Sequence, residues 1–492
     1  METAPATRLR VLDDRDLRSD GRYVLYWMTA FRRPHWNFAL QHAAARAAEL
    51  GKPLLIFEAL RCDYRWASDR IHAFVVQGMH DQKEHFEGRD VRYFPYVEPE
   101  KGAGKGLLKA LADEACLVVA DDAPVFFLPD QLRRAVKQCE ARFEAVDSNG
   151  LYPLSDTDRV FTVAHSFRRH LQKTLPQHLP DQPVRDPLRA SLPAPPSVPQ
   201  AILDRWPEAS AALLRAEPEA LSELPIDHAV RVTQTRGGFE AAQRRWKHFL
   251  SKKLSRYADD RNDPDDDVAS GLSPYLHFGH ISTHEIFHDL VKRQDWDLGK
   301  LGDKAHGKRE GWWGMSPEAE AFLDEIVTWR EVGYNRCFLT DDYDRYESLP
   351  DWALETLADH EGDQRNPTYS LRDLESADTY DELWNAAQRQ LVTEGRIHNY
   401  LRMLWGKKIL EWSKTPKKAL EVLIELNNKY ALDGRNPNSY SGIFWTLGRY
   451  DRAWGPERKI YGKVRYMSSD NTAKKVSVTR YLERYGPESV ER

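Results

Sequence analysis

Glu394-Gly395-Arg396-Ile397-His398-Asn399-Tyr400-Leu401-Arg402-Met403-Leu404-Trp405-Gly406-Lys407-Lys408-Ile409-Leu410-Glu411-Trp412 decides how this chain is read. At helical spacing His398, Arg402, Trp405, Ile409 and Trp412 share one face. A core face normally carries aliphatics, whereas this one carries an imidazole, a guanidinium and two indoles. Trp405 and Trp412 are two turns apart, about 10 Å along a helix axis, a reasonable hop for an electron between indoles. On spacing alone, the same stripe also describes a buried helix with two large core residues.

Around this stretch the bulk properties set limits. A chain of 492 residues exceeds a single core, so two or three domains are expected. Cys62, Cys116, Cys139 and Cys337 form no CxxC pair, which fits a reducing cytosol and argues against a disulfide framework or a cysteine-ligated zinc site. The first residues are polar, and no apolar run approaches the ~18 residues of a membrane span. The expectation is a soluble, cytoplasmic protein without membrane contact. The net charge of −5 weighs slightly against nucleic acid, but only the field of the docking face counts. Basic clusters stand at Arg244-Arg245-Trp246-Lys247, Lys252-Lys253, Lys407-Lys408 and Lys474-Lys475, and each is also a plausible solvated face.

Upstream, apolar runs at Tyr23–Met28 and Pro53–Leu60 and strand-like stretches at Val91–Val97 and Cys116–Ala120 alternate with helix-like stretches at Asn37–Leu50, Ile71–Phe86 and Leu107–Ala112. This alternation predicts an α/β domain with a parallel, Rossmann-like sheet over 1–165. No GxGxxG follows the first strand, so the dinucleotide fingerprint is absent. A proline-rich stretch, with Pro193, Pro195, Pro196 and Pro199 close together, marks a linker within 166–235. From there the pattern is helical, which predicts a large all-α domain over 236–492.

Three constellations can carry chemistry. Ser270-Gly271-Leu272-Ser273-Pro274 puts small and hydroxyl residues ahead of a helix, where backbone N–H groups can approach an anion; an ordinary helix start with Pro at its first position reads the same way. His284-Glu285-Ile286-Phe287-His288 is a formal HExxH, the pattern of zinc hydrolases, although it needs a third ligand and also arises by chance. Glu325 and Trp329, at i and i+4 of a helix, set a carboxylate beside an indole, which suits a flat, polar, stacked ligand or merely a helix-surface pair.

The opening stretch, together with Leu383-Trp384-Asn385-Ala386-Ala387-Gln388, Leu426-Asn427-Asn428-Lys429-Tyr430-Ala431-Leu432-Asp433-Gly434-Arg435-Asn436-Pro437, Trp445 and Gly462-Lys463-Val464-Arg465-Tyr466-Met467, resembles the photolyase/cryptochrome superfamily, most of all its class II branch of light-driven DNA repair enzymes. The resemblance runs over roughly residues 20 to 480. It implies FAD as cofactor, with Tyr257, Ser270, Gly271, Leu272, Ser273, Gln388, His398, Arg402, Asn427 and Asp433 as its contacts. Among these, Asn427 would face the flavin N5, and Arg402–Asp433 would be a buried ion pair beside the isoalloxazine. Trp405, Trp384 and Trp412 match the electron-transfer tryptophans. Arg261, Glu325, Trp329, Asn399 and Trp445 match positions that meet the lesion. A second, antenna chromophore of deazaflavin or folate type is implied for the N-terminal domain.

The implied function is repair of cyclobutane pyrimidine dimers in UV-damaged DNA by an electron from excited reduced FAD. The expected enzyme is a monomer with no obligate protein partner and no metal. A cryptochrome-like photoreceptor without repair shares fold and flavin, but the retained Glu325, Trp329 and Trp445 favour repair; the zinc hydrolase through His284, Glu285 and His288 is the remaining alternative. Two departures from class II stand out. Residues 291–314 read as an insertion. Asn399 stands where class II commonly has glycine and where (6-4) enzymes carry histidine, which argues against (6-4) repair.

Overall fold

A computed structural model describes residues 2–487. The chain divides into two compact units, one made of 1–157, 175–246 and 272–293, the other of 158–174, 247–271 and 294–492. These boundaries differ from a simple cut at 165 and 236. The stretch expected as a linker is shared out: its first residues join the helical unit and the rest pack with the sheet unit. The reason is burial. Leu192, Val198, Ile202 and Trp206 of the proline-rich stretch are all buried in the sheet unit's core.

The sheet unit is built on six strands, β1 Leu9–Val11, β2 Tyr23–Met28, β3 Leu54–Leu60, β4 Val91–Val97, β5 Ala115–Asp121 and β6 Phe143–Val146, in the order β1-β6-β5-β2-β3-β4. All neighbours are parallel except the edge pair β1–β6. The expected parallel sheet therefore carries an antiparallel edge, made by a three-residue strand too short to register as an apolar run. β2 and β5 are buried along their whole length, as a sheet covered by helices on both faces requires. The covering helices include α1 Phe38–Leu50, α2 Asp69–Phe86, α3 Leu107–Ala112 and α4 Leu128–Gln138. At the carboxyl end of β5, Asp121 accepts the N–H groups of Thr29, Ala30 and Phe31 at 2.8, 2.7 and 2.8 Å and the Tyr26 hydroxyl at 2.7 Å. That carboxylate closes the turn leaving β2.

The helical unit contains α5 Ala164–Thr174, and the chain then supplies α6 Thr283–Arg293 to the sheet unit before returning. The helices that form the site follow: α7 Pro317–Leu323, α8 Arg330–Leu339, α9 Glu382–Glu394, α10 Asn399–Trp412, α11 Pro416–Tyr430 and α12 Pro437–Trp445. Their starts are written in the sequence. Asp381, Thr415 and Asn436 each cap a first turn by accepting a backbone N–H, and Pro416 and Pro437 take the first helical positions. α9 ends at Gly395, which is left-handed at φ 71°. Consequently His398 is not on a helical face at all. It is the extended residue before α10, with φ −55° and ψ 133°, and the expected stripe begins at Arg402. No helix among the described residues is long and apolar enough to cross a membrane.

Candidate functional site

One cavity of about 1420 Å³ opens in the helical unit. It exceeds the ~300–1,000 Å³ of a usual small-molecule pocket, so it has room for a cofactor and a second guest. Arg261, Glu325, Trp329, Asn399 and Trp445, five residues from four separate stretches of sequence, all line it, and so does Arg402.

Glu325 and Trp329 do not lie on an α-helix. Asp324–Trp329 forms a π-helical turn between α7 and α8. Such turns are rare and concentrate at functional sites. The wide turn aims neighbouring carboxylates in different directions. Asp324 is buried and paired with Arg168 at 2.6 and 2.9 Å, whereas Glu325 reaches Arg261 at 3.5 Å and retains one-third of its side-chain exposure. Burial raises the Glu325 carboxyl above its ordinary value, and the Arg261 guanidinium opposes that rise. Arg261 also lies over the Tyr257 ring at 5.7 Å. Tyr257 is buried against Phe249 and Phe322, and burial pushes its phenol well above the usual range. Tyr257 thus stands beside the Arg261–Glu325 pair.

Trp445, at the end of α12, has Lys407 Nζ 4.9 Å from its ring and Arg465 at 5.5 Å. Lys407 is fully buried, donates to the Thr446 carbonyl at 2.7 Å, and is lowered to about 7 by burial. Gly406 permits this approach, because a Cβ there would stand 2.4 Å from Thr446 Cγ2. Lys407 and Arg465 stand in stretches the sequence reading quotes without assigning them a place in the site, and the buried Arg168 stands in none. The Lys407-Lys408 doublet looked like a solvated face, and only tertiary packing reveals a lysine turned inward.

Arg402 Nη2 donates to both carboxylate oxygens of Asp433, at 3.1 and 3.4 Å. The pair is half-buried rather than sealed, because the cavity reaches Arg402. His398 is buried, and neither ring nitrogen has a well-formed hydrogen bond; burial lowers its imidazole to about 4. Asn427 is buried and does not line the cavity; its amide donates to Ser439 Oγ at 2.7 Å and Asn428 Oδ1 at 3.1 Å. Gln388 is fully buried and accepts from Trp405 Nε1 at 2.9 Å. Ser270 and Gly271, the latter at φ +68°, end one stretch of the helical unit, and Leu272 and Ser273 begin the next stretch of the sheet unit. Leu272 precedes the short helix Ser273–His277 and supplies no side-chain cap to it.

Three further indoles, Trp384, Trp405 and Trp412, are buried in the helical unit without lining the cavity. Trp384 donates its Nε1–H to the Trp405 carbonyl at 3.0 Å and meets Trp412 edge-on at 5.3 Å between ring centres. All three are essentially inaccessible. Trp384 on α9 therefore touches the backbone of Trp405 and the ring of Trp412, both on α10.

In the sheet unit, the HExxH residues are otherwise engaged. His284 Nε2 lies 3.1 Å from the Gly150 carbonyl, Glu285 accepts from Gln243 at 2.9 Å, and His288 packs on Trp36. Among the described residues no group of three or more His, Cys, Asp or Glu side chains is placed to hold a metal ion.

No family model matches the chain. The deoxyribodipyrimidine photo-lyase of Methanothermobacter thermautotrophicus is 32% identical over 480 residues, 97% of this chain and 98% of that protein. The protein of the same name from Oryza sativa subsp. japonica is 33% identical over 481 residues, 94% and 87% of the two chains, and that from Potorous tridactylus 30% over 495 residues, 98% and 84%. Among solved structures, a bacterial class III photolyase from Agrobacterium tumefaciens matches with a TM-score of 0.69 over 95% of this chain and 87% of its own, at 17% identity, a likeness of fold.

Proposed function

The chain belongs to the deoxyribodipyrimidine photo-lyases of the photolyase/cryptochrome superfamily, and from that premise we propose that it repairs cyclobutane pyrimidine dimers, in the class II manner, with FAD held in the helical unit. The observation that carries this reading is the gathering of Arg261, Glu325, Trp329, Asn399 and Trp445 around one cavity whose wall also holds Arg402.

FAD, when bound and reduced, supplies a light-driven electron to the dimer. The residues for it fit: His398 offers two buried ring nitrogens without good partners, and the Arg402–Asp433 pair remains open to the cavity. With a folded pKa near 4, His398 is neutral at neutral pH, so one ring nitrogen can donate and the other accept. Asn427 and Gln388 act one step back, fixing α11 and Trp405. A dimer inside duplex DNA cannot reach this cavity, so it must be extruded. Trp329 and Trp445 then offer flat faces to the pyrimidines, and Arg261 and Glu325 offer a donor and an acceptor to their polar edges. The split breaks the two cyclobutane bonds and returns the electron, so the repair is redox-neutral. Trp405, Trp384 and Trp412 relay an electron inward when the cofactor arrives oxidised.

The test is repair of an oligonucleotide carrying one cyclobutane dimer under blue light, with a dark control and a (6-4) oligonucleotide alongside. Light-dependent repair of the first substrate alone is expected. The amide of Asn399 cannot serve as the proton donor that (6-4) repair needs, so turnover of the second substrate would defeat the assignment.

A further inference from the structure

Lys308, Arg309 and Glu310 form a three-residue hook on the cavity wall, and the repair reading gives it no part. Its backbone is pinned on both sides. The Gly307 N–H donates to Gln172 Oε1 at 2.7 Å, Gln172 Nε2 donates to the Lys308 carbonyl at 2.9 Å, and Arg168 donates to the Gly307 carbonyl at 3.2 Å. Gly307 sits at φ +72°, and a Cβ there would lie 2.9 Å from both Nε2 and the carbonyl oxygen of His165, so only glycine fits. On the far side the Gly311 N–H donates to the buried Glu320, and Trp312 and Trp313 are buried next to it.

Between these anchors all three side chains are exposed. The side chains of Lys308 and Arg309 make no hydrogen bond or ion pair among the described residues. Yet Arg309 is close enough for its charge to act on Glu325 and favour the ionised carboxylate. Two cations on a fixed backbone thus share a cavity with the carboxylate at the end of the Arg168–Asp324–Glu325 cluster. A guest made of bases and phosphates must divide itself here. Its phosphates are repelled by Glu325 and attracted by the hook, while its base edges can meet Glu325. Because the backbone is already ordered, little is lost in ordering the hook when the guest enters.

We propose that Lys308 and Arg309 bind backbone phosphates of the extruded lesion dinucleotide, so that the hook touches DNA only when a lesion occupies the cavity. This rests on the reading that the lesion enters this cavity. The other source of phosphate is the diphosphate of FAD, and the test separates the two.

The variants are the double Lys308→Gln/Arg309→Gln and the single Arg309→Lys, each purified as holoprotein. Dark binding to a dimer-containing duplex and to its undamaged twin is measured between 50 and 200 mM salt. Each lost phosphate contact lowers the slope of log K against log salt by about 0.9. The expected result for the double variant is a slope smaller by about 2 on damaged duplex, an unchanged slope on the undamaged twin, and unchanged FAD content; Arg309→Lys behaves as wild type. An equal loss of slope on both duplexes, no loss on either, or depleted FAD overturns the proposal. If wild-type protein shows no preference for the dimer, the lesion reading fails first and the hook falls with it, whereas a wild-type preference with an unaltered slope in the variant sinks the hook alone.

Discussion

The mouth of the cavity and the buried indole string are built from the same residue type in opposite ways. Trp329 and Trp445 are partly exposed and line the cavity with Arg261 and Glu325, while Lys407 and Arg465 lie by the Trp445 ring. Trp384, Trp405 and Trp412 are sealed, with Trp384 and Trp405 hydrogen-bonded through their ring nitrogens to a carbonyl and an amide. A tryptophan left open is available to a guest. A tryptophan packed shut is held at fixed distance from its neighbours, which is what electron relay requires. On the function proposed above, the difference teaches that function and stability separate at the mouth and coincide in the string.

The sharpest break is at Trp384. Trp384→Phe keeps most of the volume but removes the oxidisable indole that meets Trp412 edge-on and bonds the Trp405 carbonyl. Photoreduction of oxidised holoprotein should be abolished, while repair by chemically pre-reduced protein survives; bleaching of the flavin absorbance under blue light reads the first, and dimer repair the second. Undiminished photoreduction would show that the electron bypasses Trp384. Trp384→Ala adds a cavity in a closed core and should cost about 3–5 kcal/mol of stability.

Glu325→Ala comes next, at the mouth. It leaves polar atoms of a bound lesion unpaired, a loss of about 1–3 kcal/mol, whereas undamaged duplex is held mainly through phosphates. Repair at low substrate concentration should fall by that factor with little change in affinity for undamaged DNA, measured by titration in the dark. Equal losses on both would make Glu325 structural. Trp329→Ala extends the comparison. An open indole should cost no more than about 1 kcal/mol on removal, against the larger penalty at Trp384, while dimer binding drops. A melting temperature lowered as far as that of Trp384→Ala would erase the distinction between the two regions.

These contrasts also explain how much the sequence made legible. The strands β2 and β4 and the helix α3 have the expected limits, because apolar runs and Ala-rich stretches are local signals. The mouth residues were legible as members of a motif, yet nothing local announced the π-helical turn that separates Asp324 from Glu325. His398 was misplaced by one rule outranking another: the helical period runs smoothly through Glu394–Trp412, but Gly395 in the left-handed region ends α9 and the backbone re-enters helix only at Asn399. The contact of Trp384 with Trp412 was hidden for a related reason, since periodicity sees Trp405 and Trp412 on one helix and cannot see Trp384 arriving from another. The hook and Lys407 depend wholly on tertiary packing.

Lys407 lies where the two regions meet, and it yields the smallest and most specific prediction. Its backbone belongs to α10, two residues after Trp405, and its ammonium lies under the mouth tryptophan Trp445. The groups acting on it are the Thr446 carbonyl, Asp451, which favours its charge, and Arg465, which opposes it. Burial lowers it to about 7, against about 10.4 in an unfolded chain. Between those values the unfolded state holds more protons than the folded one, so stability rises with pH there. Below about pH 7 both states are charged and the full cost of burying the ammonium is present. Lys407→Met removes that cost together with the hydrogen bond to Thr446. Relative to wild type, the variant should therefore do best at pH 6 and lose ground steadily by pH 9, a trend read from paired melting temperatures across that range. Its dimer affinity should fall by no more than the loss of one cation beside an indole, about 0.5–2 kcal/mol, with photoreduction untouched because the relay indoles are unchanged. A melting difference independent of pH would mean that Lys407 keeps its charge throughout, and that Trp445 rests on a permanent cation.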